Sequence, residues 1–314
     1  MTSDGPGAWD TPYHAPVLAE EILELLREAR TVLDCTLGGG GHCAALLAMG
    51  ASVTAIDRDP AAIDEATRRL AAQHGEGRFQ VILGNFADVD RLLPDASQKF
   101  DGIVADLGVS SHQIDDASRG FSFRQGSPLD MRMGDRSLPG AGDFLNTADE
   151  AQIASAFRDY GDEPRARRLA REVVRRRQNR LFETSDDLVG AVRGAFGPRT
   201  GPADFARLFQ SIRIAVNDEV AALEKALPAL RNRLIPGGTL AVIAYHSGED
   251  RVVKNAMRDW SRDCICPPRQ LQCTCRGKPL GRVVTRKPVA PSSQEIARNP
   301  RARSAHLRAW RSDG

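Results

Sequence analysis

A run of four glycines between a predicted strand and a predicted helix constrains the fold of this chain more than any other feature. The run occupies residues 38–41, after the apolar segment 31–33 and before the helix-like segment 43–49. Glycines leave backbone N–H groups uncovered and let a ligand approach the main chain closely. This arrangement predicts a cofactor bound at the start of an α/β sheet.

An acidic residue, Asp57, ends the next predicted strand, residues 51–56. A carboxylate at that position suits the two ribose hydroxyls of an adenosine-type cofactor. A dinucleotide site would instead carry G-x-G-x-x-G, and a Walker loop would end in Gly-Lys-Ser/Thr. Asp34 supplies an acceptor for an ammonium group, which favours S-adenosylmethionine. A glycine-rich turn that binds nothing is the alternative.

The composition is that of a soluble globular protein, since 41% of the 314 residues are hydrophobic and 27% are charged. No apolar run approaches the roughly 20 residues that a membrane span needs, so no membrane partner is expected. Residues 1–7 lack the basic and apolar regions of a signal peptide. We therefore expect a cytoplasmic location.

Predicted strands and helices alternate over the first third of the chain. The strands cover residues 31–33, 51–56, 79–83 and 100–106, and the helices cover residues 20–28, 43–49 and 60–72. Such alternation predicts a parallel, doubly wound sheet of the α/β class.

The alternation stops near residue 130, where the chain becomes rich in helices and arginine. Strand character returns at residues 238–245, after a long helix-like segment, 208–234, and a Pro236-Gly237 break. A helical domain inserted into one α/β domain is the simplest account.

The predicted domain boundaries follow from this pattern. Residues 1–129 and 208–314 form the two parts of the α/β core, and residues 130–207 form an inserted, Arg-rich helical domain that contacts the substrate. The tail from residue 263 onward is rich in proline and basic residues, so we expect it to lie over the surface.

Basic residues are concentrated in two segments, although the formal net charge is only +2. The first is an amphipathic helix with an apolar side at Leu169, Val173 and Val174, and its basic residues are Arg165, Arg167, Arg168, Arg171, Arg175, Arg176, Arg177 and Arg180. The second is in the tail, at Arg276, Lys278, Arg282, Arg286, Lys287, Arg298, Arg301, Arg303 and Arg308. One charge run is usually a solvated face, but two indicate a polyanionic partner, RNA or DNA, because guanidinium groups match phosphate oxygens.

The cysteines fall into two groups. Cys35 and Cys43 flank the glycine loop and are expected to be buried small residues in a reducing compartment. The other four form the pattern C-x-C-x6-C-x-C at Cys264, Cys266, Cys273 and Cys275. Four thiolates could form a tetrahedral zinc site, but C-x-C is less usual than C-x2-C, and the pairs could equally be free or redox-labile. No metal ligand is therefore assigned.

A series of short motifs occurs in an order typical of one family. They are HAPVL (14–18), GGGGH (38–42), IDRDP (56–60), DLGVSS (106–111), RGFSF (119–123), PLDMRM (128–133), FQSIRIAVN (209–217), LIPGG (234–238), HSGEDR (246–251) and NPRARS (299–304). Together these motifs resemble the MraW family of ribosomal RNA small subunit methyltransferases, and the match extends from His14 to Arg308.

The resemblance implies a Rossmann-like, S-adenosylmethionine-dependent methyltransferase sheet with an inserted helical domain. It also implies N4-methylation of a cytidine in the decoding centre of bacterial 16S rRNA, on the small ribosomal subunit, with no DNA partner. By motif, the family's contacts with S-adenosyl-L-methionine fall on Gly40, Gly41, His42, Asp57, Phe86, Asp106 and Gln113. The positions of two of these residues agree with the implied contacts. Phe86 could lie against adenine, and Asp106 ends the fourth strand at the cofactor edge.

The chain departs from the family pattern at three places. Ser-Pro-Gln is replaced by Ser111-His112-Gln113, Ser-Leu-Glu-Asp by residues 247–250, and the His-Pro-Ala-Thr-Arg stretch by residues 201–208. These departures leave the cofactor motifs intact and concern the expected RNA-facing surface.

No catalytic residue is assigned. Methylation makes the cytosine N4 acidic, so the enzyme need only position N4 and accept an N–H hydrogen bond. Asp106 is a candidate acceptor, although its cofactor role competes. Phe121, Phe123 and Tyr245 could stack on an unstacked base, with core packing as the alternative. His246 either faces the active-site edge or is a structural histidine.

Three other functional classes share part of these features. A DNA amino-methyltransferase would carry Asp/Asn-Pro-Pro-aromatic after the fourth strand, where this chain has Asp106-Leu107-Gly108-Val109. A nicotinamide-dependent oxidoreductase would need G-x-G-x-x-G. A non-catalytic RNA-binding assembly factor could keep both basic clusters, but the retained cofactor motifs argue against it.

Overall fold

The computed structural model describes residues 16–74, 77–267, 270 and 272–314. The signal-peptide expectation and the first two residues of the HAPVL motif concern residues outside these ranges. Two compact units are present, which we call the sheet unit and the helical unit. The sheet unit comprises the chain up to Gly108 together with Ala221–Gly314, and the helical unit is Val109–Val220.

The strands and helices are as follows. The strands are β1 (Thr31–Asp34), β2 (Ser52–Asp57), β3 (Phe79–Leu83), β4 (Phe100–Asp106), β5 (Leu234–Ala244), β6 (Gly281–Val283) and β7 (His306–Ser312). The helices are α1 (Ala19–Leu25), α2 (Gly41–Ala48), α3 (Pro60–His74), α4 (Val89–Leu92), α5 (Ser111–Asp115), α6 (Ala141–Thr147), α7 (Glu150–Asp159), α8 (Ala166–Arg177), α9 (Ser185–Phe196), α10 (Pro202–Asn217), α11 (Glu219–Asn232), α12 (Ser247–Trp260) and α13 (Ser293–Arg298).

One seven-stranded sheet forms the centre of the sheet unit, in the order β3-β2-β1-β4-β5-β7-β6. Strands β1 to β5 are parallel, and β7 runs antiparallel to both β5 and β6. The predicted α/β class is confirmed, and the sheet is mixed at one edge.

The central strands are buried on both faces, which is why they read as continuous apolar runs. Val32 and Val104 belong to a core with α1, α2 and α3, whereas Leu33 and Ile103 belong to a second core with α4, α11 and α12. Each of these four side chains is fully buried. The sheet therefore lies between two helical layers. Among the described residues, no helix is both long and apolar enough to cross a membrane.

The single helix predicted over residues 208–234 is wrong, because the structure has two. Helix α10 ends at Asn217, and Asp218 adopts a left-handed conformation with φ of 51° before α11 begins. Aspartate tolerates this conformation better than most residues, because its short polar side chain can bond locally. Arg213 and Glu219 then form a double hydrogen bond, at 2.8 and 2.9 Å, across the junction.

The expected break at Pro236-Gly237 lies inside β5 rather than before it. Leu234 already pairs with Phe100 of β4, and the register shifts before Thr239 pairs with Gly102. Gly237 has φ of 82°, a conformation that glycine adopts without strain. The Pro-Gly pair therefore forms a bulge within the strand.

The tail was expected to lie over the surface, and this expectation is wrong. It supplies β6 and β7, and the β7 residue Trp310 is fully buried. The ring of Trp310 packs edge-on against Trp260, with 5.2 Å between ring centroids, and its Nε1 donates to Ser261 Oγ at 3.0 Å. Two arginines, Arg308 and Arg311, interrupt the apolar residues of β7 and concealed this strand in the sequence.

The helical unit has its own core, built from α6 to α10. Phe157, Leu169, Val173, Leu188 and Ile212 are fully buried in it. The apolar side predicted for α8 is thus present at Leu169 and Val173. The unit is longer than the predicted insertion, since it also contains residues 109–129 and 208–220.

Candidate cofactor site at the carboxyl edge of the sheet

The carboxyl ends of β1, β2, β4 and β5 meet at one edge of the sheet, where ligands bind in open α/β sheets. Asp34, Asp57 and Asp106 are the last residues of β1, β2 and β4. Asp106 pairs with Ile243 of β5, so Tyr245, directly after β5, lies near the same edge. The parallel register thus brings three predicted polar positions together.

The glycine loop has backbone conformations that require glycine. Gly38 and Gly40 have φ of 49° and 70°, in the left-handed region that side chains with a Cβ rarely adopt. A Cβ on Gly40 would also approach Leu70 and Ala66 to 3.1 and 3.2 Å. The loop can therefore make its tight turn into α2 only with glycine at these positions.

Both carboxylate oxygens of Asp57 are fixed by backbone donors. Oδ2 accepts the Gly38 N–H at 2.8 Å, and Oδ1 accepts the Asp59 N–H at 2.8 Å. A carboxylate has about four lone-pair positions, so each oxygen keeps one for a ligand hydroxyl. Burial, with a smaller contribution from neighbouring carboxylates, raises the pKa of Asp57 to about 6. Asp57 is therefore oriented for a pair of hydroxyl groups.

Asp106 is held by residues from distant parts of the chain. Its Oδ1 accepts the Tyr245 hydroxyl at 2.9 Å, and its backbone N–H donates to Thr36 Oγ1 at 2.7 Å. Burial raises the pKa of Asp106 to about 6, against the opposing effects of His42 and the Tyr245 hydrogen bond. The Asp106 side chain is 11% exposed, so its carboxyl group lies at the solvent-facing rim of this sheet edge.

His42 is buried in the first turn of α2. Its Nε2 lies 2.9 Å from the Val17 carbonyl oxygen, so Nε2 carries a hydrogen. Its Nδ1 lies 3.8 Å from Asp106 Oδ2. The imidazole is thus held by Val17 and lies beside the Asp106 carboxyl group. Because first-turn N–H groups have no intrahelical partner, the backbone of Gly41 and His42 is the part suited to a ligand.

Asp34 does not face a ligand as the ammonium hypothesis required. It is 1% exposed, and its oxygens accept the Thr36 N–H at 3.0 Å and the Cys43 thiol at 3.1 Å. Asp34 therefore stabilises the conformation of the glycine loop through these two hydrogen bonds. Cys35 and Cys43 are buried free thiols, as predicted.

Phe86 begins a short 3-10 turn just after β3, and its ring is partly buried against the second core. Asn85 caps this turn by accepting the Ala87 N–H at 3.0 Å. The preceding Gly84 donates its N–H to the Asp57 carbonyl at 2.8 Å. Phe86 is thus held on the segment beside Asp57, and its contact with adenine stays a prediction.

Gln113 belongs to the helical unit. It forms a capping box with Ser110 at the start of α5: the Ser110 N–H donates to Gln113 Oε1 at 3.0 Å, and the Gln113 N–H donates to Ser110 Oγ at 3.2 Å. Its contact with the cofactor stays a prediction.

The aromatic and histidine candidates have packing roles. Phe123 packs against Phe205 and Phe209 in the core of the helical unit, where Phe121 also packs. His246 caps α12, since its Nδ1 accepts the Gly248 N–H at 3.2 Å and the Glu249 N–H at 3.4 Å. These contacts favour the structural alternatives for all three.

Sequence reasoning missed two residues of this edge. Tyr245 was considered only for stacking, but it hydrogen-bonds Asp106. Glu249 is 2% exposed, and its Oε2 accepts the Tyr245 N–H at 3.0 Å. The spacing of Tyr245 and Glu249 at the start of α12 was the available signal, since an N3 carboxylate commonly bonds back to the chain before a helix.

Comparison with known proteins identifies the family. Residues 11–312 match the model of the MraW methylase family. This chain belongs to the MraW methylase family. It is 61% identical over 300 residues to the ribosomal RNA small subunit methyltransferase H of Gemmatimonas aurantiaca, which covers 96% of this chain and 95% of that protein. The protein of the same name from Myxococcus xanthus is 47% identical, over 94% of this chain and 96% of its own.

Among solved structures, an rRNA methylase from Streptococcus thermophilus aligns with 94% of this chain and 93% of its own length. The sequence identity is 12% and the TM-score is 0.42.

MraW methylases use S-adenosylmethionine, and the residues of the carboxyl edge fit that group. The cofactor presents two ribose hydroxyls, which match the remaining lone pairs of Asp57. It also carries sulfonium and ammonium charges, which suit an edge lined by Asp57 and Asp106. The donor set of this MraW methylase therefore agrees with its family's cofactor.

The affinity for S-adenosylmethionine is expected to fall at least about tenfold from pH 7 to pH 5. The raised pKa values of Asp57 and Asp106, about 6 each, mean that acidification protonates both carboxylates and removes the negative charge that attracts the cofactor. One group with a pKa of 6 is about nine-tenths protonated at pH 5. Isothermal titration calorimetry at several pH values measures the effect.

The cofactor's own charges provide an internal control for this prediction. Its amino and carboxyl groups titrate near pH 8 and below pH 4, so they stay charged over this range. The Asp57→Asn variant should bind more weakly and with a shallower pH dependence. A wild-type affinity that stays constant from pH 7 to pH 5 would contradict the assigned ionisation.

Proposed function

We propose that this protein methylates N4 of a cytidine in the decoding centre of bacterial 16S rRNA, using S-adenosylmethionine. Relatives named ribosomal RNA small subunit methyltransferase H support the rRNA substrate. The observation that carries the proposal is the pair of oriented, partly buried carboxylates, Asp57 and Asp106, at the carboxyl edge of a methylase of this family.

The proposed cofactor residues are those that the family motifs indicate: Gly40, Gly41, His42, Asp57, Phe86, Asp106 and Gln113. Asp57 would accept the ribose hydroxyls, and Phe86 would lie against the adenine. Backbone N–H groups at the start of α2 would face the methionine carboxylate. When bound, S-adenosylmethionine supplies the methyl group.

Asp106 is the proposed acceptor for a hydrogen of the cytosine amine. The N4 lone pair is delocalised into the ring, so positioning and an N–H acceptor both favour reaction. Tyr245 donates to Oδ1 of Asp106, which leaves Oδ2 toward His42 and the rim. The carboxylate would hold the amine, and the proton is lost once methylation has made the nitrogen acidic.

Helix α8 supplies the proposed RNA-binding face. Several of its arginines are already paired within the helical unit. Arg175 and Arg176 both bond Glu172, whose pKa they lower to about 2. Arg177 donates to two main-chain carbonyls, those of Leu145 and Ala148.

Three exposed arginines of α8 have no carboxylate partner among the described residues: Arg167, Arg168 and Arg171. Unpaired guanidinium groups on one exposed face bind phosphates and release counterions. We call these three residues the α8 patch and propose that it contacts 16S rRNA.

The tail cluster is less suited to RNA than its sequence suggests. Arg308 forms a double hydrogen bond with Asp250, at 2.6 and 2.8 Å, and Arg282 pairs with Asp313 at 2.6 Å. Arg276 donates to the main chain at the end of α12. These arginines stabilise the fold, which leaves the α8 patch as the stronger candidate.

The reaction is tested by tritium transfer from labelled S-adenosylmethionine to 30S subunits that lack their native cytidine methylation, followed by nucleoside analysis. Label is expected in N4-methylcytidine. The Asp57→Ala variant should bind the cofactor about 10–100-fold more weakly, because hydrogen bonds to a charged group contribute about 1.5–3 kcal/mol each. The exposed carboxylate variant Asp135→Asn is the matched control and should behave as wild type.

Other results would contradict this assignment. Label in a different nucleoside would overturn the N4-cytidine specificity. Transfer to DNA, with none to 30S subunits, would overturn the RNA substrate. Full activity in Asp57→Ala would remove the ribose role of that carboxylate.

Replacing the α8 patch with alanine should raise the KM for 30S subunits about tenfold or more and leave cofactor affinity unchanged. Each lost phosphate contact should also reduce the slope of log affinity against log salt by about 0.7–0.9. Initial rates at several 30S concentrations measure the KM, and filter binding at several salt concentrations measures the slope. Arg158→Ala is the matched control, because Arg158 is exposed but paired with Asp159. An unchanged KM and salt slope would exclude the patch from the RNA-binding surface.

A further inference from the structure

Four cysteine side chains between α12 and β6 converge on one point. The Sγ atoms of all four, at Cys264, Cys266, Cys273 and Cys275, lie within 4.8 Å of one another. Cys273 Sγ is 3.8 Å from that of Cys264, 3.9 Å from that of Cys266 and 3.5 Å from that of Cys275. Cys275 and Cys264 are 3.8 Å apart. All four are free thiols, since a disulfide would need about 2.05 Å.

Four of the six sulfur–sulfur distances, at 3.5 to 3.9 Å, match the edges of a tetrahedron of sulfur around a metal. Zinc binds cysteine sulfur at about 2.3 Å, and a regular tetrahedron of that radius has edges of about 3.8 Å. Four free thiols on an exposed segment have no steric reason to adopt this spacing. We propose that Cys264, Cys266, Cys273 and Cys275 bind one zinc ion as a closed, structural four-thiolate site.

Backbone donors surround the sulfurs in the way that thiolates require. The Ile265 N–H donates to Cys275 Sγ, the Cys266 N–H to Cys264 Sγ, and the Thr274 N–H to Cys266 Sγ, each at 3.4 Å. Such hydrogen bonds orient metal ligands and stabilise their negative charge. The C-x-C spacing serves this arrangement, because the residue between two ligands turns its N–H toward a sulfur of the other pair.

Four cysteine thiolates as ligands indicate which metals the site can bind and what role the metal has. Soft thiolates favour zinc or iron over magnesium and calcium. Four protein ligands fill the tetrahedron, which leaves no open position for substrate or water. The site therefore holds the chain together and does not take part in methyl transfer.

The described residues of this segment bury little apolar surface. Cys264, Ile265, Pro267 and Cys273 are exposed, and Ile265 is 47% exposed. Short segments that cannot bury apolar surface are commonly stabilised by a metal. Here the metal would join the two cysteine pairs at the exposed end of the loop.

The ends of the loop are anchored to α12. Arg276 donates to the carbonyls of Asp259 and Arg262, the latter at 3.1 Å, and the Leu280 N–H donates to the Trp260 carbonyl at 2.8 Å. The metal site and these anchors together fix the path from α12 to β6.

The cluster lies at the sheet edge opposite the cofactor residues. Helix α12 starts at the carboxyl end of β5 and returns over 14 residues, about 21 Å. Gly281, which follows the loop, pairs with Ser312, beside the Arg311–Thr239 pair near the amino-terminal part of β5. Cofactor affinity should therefore be independent of the zinc ion.

The test is metal analysis of the full-length protein, purified under reducing conditions and supplied with Zn²⁺. Mass spectrometry of the metal content should give about one zinc per chain. The double variant Cys264→Ser/Cys275→Ser should bind none, whereas Thr274→Ser, inside the same loop with all four thiols intact, should keep one. Replacement of zinc by Co²⁺ should give the visible absorption of a tetrahedral cobalt thiolate in wild type and in Thr274→Ser only.

Hydrogen exchange distinguishes the structural role from adventitious binding. Removing zinc with a chelator should increase exchange in residues 262–280 and leave the affinity for S-adenosylmethionine unchanged. Four titratable thiols without bound metal after incubation with Zn²⁺ would overturn the proposal. So would disulfides among the four cysteines, iron in place of zinc, or one zinc retained by the double variant.

Discussion

The hydrogen bond from the Gly38 N–H to Asp57 Oδ2 joins the loop after β1 to the end of β2, and the candidate cofactor site depends on it. Gly38 can make this bond because its φ is positive, a conformation that costs glycine little. The Asp59 N–H holds the other oxygen. Two rigid backbone donors thus fix the carboxylate in one orientation, with lone pairs left at the edge where a ribose would lie.

Asp106 is held by the side chains of two other residues, whereas Asp57 is held by backbone N–H groups. Tyr245 and Thr36 bind it from the ends of β5 and β1, so three parallel strands are joined at the same edge. Burial raises the pKa of Asp57 and of Asp106 to about 6. An edge with two such carboxylates gains from a cationic ligand, because the ligand's charge favours the ionised form. Cofactor affinity and the charge state of the edge are therefore linked.

The sequence predicts the parallel strands well because each is a local apolar run, and β3 and β4 have the predicted bounds. The errors have non-local causes. Strand β7 is recognisable only through its pairing with β5, and the left-handed Asp218 divides a segment whose helical periodicity continues. The Tyr245–Asp106 hydrogen bond spans 139 residues, beyond any local pattern. The cysteine spacing alone could not decide between a zinc site and free cysteine pairs, because sulfur–sulfur distances depend on the path of the loop.

The proposed binding of the cofactor ribose by Asp57 can be tested by a double-mutant cycle. The Kd of S-adenosylhomocysteine and of its 2′,3′-dideoxyribose analogue would be measured by calorimetry for wild type and for Asp57→Asn. Loss of the hydroxyls should weaken binding at least about tenfold in wild type and little in the variant, which corresponds to a coupling of about 1.5–3 kcal/mol. Equal losses in both proteins, with a coupling near zero, would contradict it.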